Sequence, residues 1–130
     1  MAIIPYNRGL LKVEFVMTTC LFCKIIAGTI PSTLVFEDAQ LIVIDDINPV
    51  SPVHKLIIPK KHIATLNDLS TEDTLLMGHL LVTGAKLAQT LGIAEDGYRL
   101  VENCNAAAGQ TVYHIHMHLL GGRNFHWPPG

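Results

Sequence analysis

Near the end of the chain, His114, His116 and His118 alternate with Ile115, Met117 and Leu119. Strict alternation predicts a β-strand, with the imidazoles on one face and the three apolar side chains on the other, in a core. Imidazoles so placed stand roughly 7 Å apart. Packing has no use for such a row, since polar groups away from water are costly unless bonded. The pattern demands a sheet with one working face and marks that face as an active site.

The rest of the chain can supply such a sheet. A short helix is predicted over Cys20 to Ala27, stopped by Gly28 and Pro31. Ser32 to Glu37 and Leu41 to Asp45 read as strands joined by a link of hairpin length. Asp46 to Pro52 is a loop, because its two prolines suit neither helix nor central strand. His54 to Ile58 reads as a strand stopped by Pro59. The long helix runs from Ser70 to Leu91, with Asp73 completing a near capping box, a stripe of leucines with Thr83 and Gly84 in its gap, and Gly92 as the stop. Tyr98 to Asn103 is a strand, Asn105 to Gln110 a loop, and Val112 to Leu120 the histidine strand, closed by Gly121 and Gly122. The expected class is α+β, with an antiparallel sheet, one long helix and one short one.

Size and charge narrow the function. The 130 residues, 49% hydrophobic, suit one domain with a core. With net charge −2 and no basic run longer than Lys60-Lys61, the chain lacks the face that grips a nucleic-acid backbone, while a single nucleotide remains within reach. No stretch is apolar enough for a membrane span. Three cysteines fit a reducing compartment, so a cytoplasmic protein is expected. Residues 1–17 read as a tail or a non-native start, and the domain as residues 18–130.

Three chemistries suit the histidine row: a polar sheet face, a His-x-His metal site, or covalent catalysis by an imidazole nitrogen attacking phosphorus. The third requires a fixed acceptor for the other ring nitrogen, which a backbone carbonyl can provide. Upstream, Gly109 permits close backbone approach to an anion, Gln110 and Thr111 add donors, and Asn103 ends the neighbouring strand. Asp46, just after a strand, suits paired hydroxyls, or simply caps its loop.

The run from Gly109 to Arg123 resembles the signature of the histidine triad (HIT) superfamily, and further blocks resemble its Hint branch, the purine nucleoside phosphoramidases. These blocks include Phe22-x-Lys24-Ile25-Ile26, Asp46-Ile47-Asn48-Pro49, Ile58 to Ile63 and the tail His126-Trp127-Pro128-Pro129-Gly130. The resemblance implies a five-stranded antiparallel sheet and a homodimer in which two sheets join into one of ten strands. It implies His116 as nucleophile, His118 on the phosphate oxygens and at the departing amine, and His114 orienting His116 through its carbonyl and a link to His54. Asn103, Gly109, Gln110 and Thr111 would hold the phosphate and Asp46 the ribose. Phe22, Ile25, Ile44 and Ile47 would enclose a purine, and Trp127 would lie near the partner's site. Thr111 stands where many relatives carry serine, and three alanines replace more polar loop residues.

No cofactor is required by this chemistry. Some relatives with a Cys-x-x-Cys pair resemble zinc proteins, so Cys20 and Cys23 with His54 and His114 form an alternative structural zinc set. Within the superfamily, a dinucleoside polyphosphate hydrolase is the alternative activity. A nucleotide-binding dimer without catalysis is the alternative outside enzymology.

Overall fold

The computed structural model describes residues 19–130; the predicted tail, 1–17, lies outside them. Five strands form one antiparallel sheet in the order β1-β2-β3-β5-β4: β1 (Leu34–Glu37), β2 (Leu41–Asp45), β3 (Val53–Pro59), β4 (Tyr98–Val101) and β5 (Met117–Gly121). Among the described residues, α1 (Leu21–Ile26) and α2 (Thr74–Thr90) cover its faces. The expected class, α+β with an antiparallel sheet and one long helix, holds.

Burial on both faces explains the unbroken apolar run of β2. Leu41 and Val43 join Ile57, Met117 and Leu119 in a core with Leu80 and Ala88 of α2. Ile42 and Ile44 join Leu56 and Ile58 in a second core with Phe22 and Cys23 of α1. Alternation along β2 and β3 thus feeds two cores at once. Gly84 lets α2 approach closely: a β-carbon there would meet Leu100 at 2.9 Å. One turn of 3-10 helix, Thr71–Asp73, precedes α2, and the Asp73 carboxylate accepts the Ser70 N–H at 3.0 Å and the Lys61 ammonium at 2.6 Å.

The histidine strand is shorter than predicted. The β3–β5 register pairs Ile57 with Met117, so the next pairs would set Ile58 against His116 and Pro59 against Ile115. Pro59 has no N–H to offer a ladder. The chain leaves the sheet there, and the Ile115 N–H bonds the Ile63 carbonyl instead. Ile115, Met117 and Leu119 are nevertheless all buried, as expected.

Candidate active site

His54 on β3 and His118 on β5 lie on the face that carries α1, since His118 stands opposite Leu56 of that core. Their rings meet with His54 Nε2 2.9 Å from His118 Nδ1. His116 joins them with its ring centroid 5.1 Å from that of His118, and Phe22 lies edge-on to His116 at 4.9 Å. Only two of the three alternating histidines face this space. His114 is fully buried and turned away.

Hydrogen bonding fixes the tautomer of each ring. His116 donates its Nδ1–H to the His114 carbonyl at 2.7 Å, so its Nε2 lone pair is free. The Val50 N–H donates to His54 Nδ1 at 3.1 Å, which puts the His54 proton on Nε2. That Nε2–H faces His118 Nδ1, with Asp46 Oδ2 3.3 Å away as a second acceptor. His118 therefore carries its own proton on Nε2. The cluster pairs one nitrogen with a free lone pair and one with a free proton.

Burial keeps these rings neutral. Desolvation lowers His116 against the opposing bond to the His114 carbonyl. It lowers His118 to about 4, assisted by His116 and His54. His54 is also lowered by burial, with Asp46 opposing. A neutral imidazole is the form that can attack an electrophile.

A cavity of about 490 Å³ opens over these rings, within the range of small-ligand sites. Phe22, Ile25, Ile44 and Ile47 line it together with Asp46, His54, Thr111, His116 and His118. Ile47 is 91% exposed in the single chain, an apolar side chain at the cavity rim. Asp46 uses Oδ1 to accept the Asn48 N–H at 2.8 Å, the loop-capping bond, and keeps Oδ2 toward the rings. Segment 30–33, Val50 and Leu56 also line the cavity. Sequence patterning had no signal for them, as loop residues and an ordinary core leucine.

Other expected residues lie elsewhere. Asn103, Gly109, Gln110 and Trp127 are not in the cavity wall. By alternation from Val101, the partner of His118, Asn103 lies on the same sheet face as His118. Gly109, at φ 88°, closes a 3-10 turn over Ala106–Ala108 in the left-handed conformation open to glycine. Asn105 opens that turn at φ 67°, a strained value for a residue with a side chain. Gln110 is corrected from phosphate donor to strut. Its Nε2 donates to Ala64 and Val112 carbonyls, its Oε1 accepts the Asn105 N–H, and its own N–H bonds the Asn105 carbonyl. No donor is left over. Trp127 is 83% exposed, clear of its own chain's site.

The link from His114 to His54 is also corrected, and the zinc set with it. His114 donates Nε2–H to the Pro59 carbonyl at 2.7 Å, leaving the Nδ1 lone pair pointed at Cys20 Sγ (3.3 Å), Cys23 Sγ (3.6 Å) and His62 Nδ1 (3.0 Å). Cys23 Sγ is 3.4 Å from His62 Nδ1. These four ligand atoms lie within 4.8 Å of one another, close to the edges of about 3.3–3.8 Å that tetrahedral zinc would set. His54 belongs instead with Asp46 and His118. Both its nitrogens are committed, one to Val50 and one to His118, so it has no lone pair for a metal. Burial and the neighbouring Cys20 push the Cys23 thiol up to about 12, so the thiolate that ligates a metal would form here only together with the cation.

Comparison with known proteins adds the family frame. The family model for the HIT domain matches residues 27–125. The purine nucleoside phosphoramidase of Escherichia coli K12 is 52% identical over 103 residues, 79% of this chain and 87% of that protein. The crystal structure of a HIT family hydrolase from Legionella pneumophila superposes with TM-score 0.85 at 57% identity, covering 86% of this chain and all of that one. A zinc-bound histidine triad family protein from Mycobacterium smegmatis superposes with TM-score 0.71 at 36% identity, covering 82% of this chain and 77% of that one.

Proposed function

The chain belongs to the HIT domain family, and on that premise we propose that it hydrolyses the phosphorus–nitrogen bond of purine nucleoside 5′-phosphoramidates through a nucleotidyl-histidine intermediate. The observation that carries this reading is the His116 Nε2 lone pair, freed by the Nδ1–H bond to the His114 carbonyl and set in a cavity beside the Nε2–H of His118. His116 attacks phosphorus and the P–N bond breaks. The departing nitrogen takes a proton from water and leaves as the amine, while the neutral His118 ring steadies it with a hydrogen bond from Nε2–H. Water then cleaves the nucleotidyl-histidine and releases AMP or GMP. Splitting one displacement into two lowers each barrier.

The remaining residues have roles in keeping with their places. Phe22, Ile25, Ile44 and Ile47 enclose the purine, and Asp46 meets the ribose hydroxyls with lone pairs not used on Asn48. Thr111, on the cavity wall, and Asn103, on the His118 face, serve the phosphate. The 52% identity to a purine nucleoside phosphoramidase supports the substrate class.

The protein works as a homodimer in the cytoplasm, a nucleotide its substrate and no nucleic acid its partner. Among the described residues no helix is long and apolar enough to cross a membrane. Cys20, Cys23, His62 and His114 hold a structural zinc: four ligands close the coordination sphere, so the ion ties α1 to the histidine segment and takes no part in turnover.

The test is AMP release from adenosine 5′-phosphoramidate, with chelator present, by the wild type and His116→Ala. Turnover is expected from the wild type and a loss of at least about 10³-fold in the variant, with the fold retained by circular dichroism. Comparable rates from both would remove His116 as nucleophile.

A further inference from the structure

Glu102 is half-buried, and one of its carboxyl oxygens has no partner among the described residues. Its Oε1 is out of reach of water and is the one buried side-chain atom among the described residues that lacks a hydrogen bond. Such an atom costs free energy unless something outside the single chain satisfies it. Glu102 directly follows β4, an outermost strand of the sheet.

The two edges of this sheet differ. β1 carries a register shift between Leu34 and Phe36, an irregularity that blunts further pairing. β4 pairs regularly with β5 from Tyr98 to Val101 and leaves its outer backbone groups without strand partners among the described residues. A strand edge of this kind accepts an identical strand around a two-fold axis, the self-complementary solution for a homodimer.

The helix beside that edge is also uncharged there. Leu100 packs on Gly84, so α2 faces β4 at that position. His79, Val82, Lys86 and Thr90 line a hollow with Phe36, which puts them on the β1 side. At 100° per residue, Gly78, Leu81 and Ala85 then fall on the β4 side, where Leu81 is 52% exposed. By alternation Glu102 shares the helix-facing side of the strand with Tyr98 and Leu100.

Resting on the homodimer reading above, we propose that Glu102 enters the seam between two β4 strands as a neutral carboxylic acid, bonded to the second copy, and that it makes dimer strength depend on pH.

Among the described residues, the charged groups on the neighbouring elements are directed elsewhere. On α2, His79 is held by Asp38 and Lys86 lies on the β1 side. On β5, His118 lies on the opposite sheet face. On β4 itself, Arg99 bonds the His126 carbonyl, and Cys104, two residues past Glu102, is a half-buried free cysteine. Burial alone pushes the Glu102 carboxyl up to about 8 in the single chain. Above that value the free chain is ionised, and each copy must take up a proton to associate.

Sedimentation of the wild type and Glu102→Gln from pH 7 to 9 tests this. For two carboxyls the wild-type dimer dissociation constant rises about 100-fold over that range, and the variant, neutral throughout, loses that rise. A dimer whose dissociation constant stays flat in the wild type, or rises equally in both, overturns the role of Glu102 alone. Monomers at every pH, at concentrations of about 100 μM or more where a typical stable dimer persists, overturn the homodimer reading and this inference together.

Discussion

A single backbone carbonyl and a single backbone N–H decide the chemistry of the two histidines in the cavity. The His114 carbonyl turns the His116 lone pair outward, and the Val50 N–H, acting through His54, turns the His118 proton outward. Both rings are held neutral by burial, His118 down to about 4 from an ordinary 6.5. The unfolded chain binds a proton at His118 near 6.5, whereas the fold resists until about 4. Stability from this group is therefore complete above 6.5 and is lost as pH falls toward 4. Activity follows the same direction, because protonation removes the attacking lone pair. The profile of kcat/KM for phosphoramidate cleavage is expected to stay level from pH 8 down to 6.5 and to decline only at pH below that ordinary imidazole value. An acid limb centred at 6.5 or higher would mean that the cavity does not hold these rings neutral.

At the scale of elements, Gln110 is the side chain whose role changes most between sequence and structure. Beside three histidines an amide donor suggests a phosphate contact. The folded chain instead spends it on three backbone partners that span Ala64, Asn105 and Val112. Gln110→Ala is expected to cost about 2–3 kcal/mol in urea unfolding, since buried groups lose their partners, and to speed amide exchange across residues 105–112. A variant of unchanged stability with a raised KM would restore the phosphate role. The same contrast explains what the sequence could convey. β2 was legible to the residue because its alternate side chains are all apolar, and α1 because Cys20 and Gly28 bracket it. The histidine strand was overextended because alternation continues through Val112, while the ladder fails at Pro59, a strand away. His54 was placed with the wrong partners for a related reason: only the β3–β5 register brings it to His118 and leaves His62 beside the cysteines.

For the whole molecule, the cysteine–histidine cluster lies where separate parts of the chain converge. Cys20 caps α1, Cys23 lies within it, His62 follows β3, and His114 precedes β5. An ion held there ties α1, which supplies Phe22 and Ile25 to the cavity, to the segment whose carbonyl orients His116. Removing it should loosen the binding wall without removing the nucleophile. The purified protein is expected to carry about one zinc per chain, the share of a single four-ligand site, when measured by elemental analysis. His62→Ala should lose the metal and melt at a lower temperature, since binding free energy of a structural ion is folding free energy. His54→Ala should keep the metal, because its two nitrogens are already bonded to Val50 and His118. The reverse result, metal lost with His54 and kept without His62, would return the ligand set to the one the sequence first suggested. It would also require β3 to present His54 to the cysteines, against the register that sets it opposite Leu120.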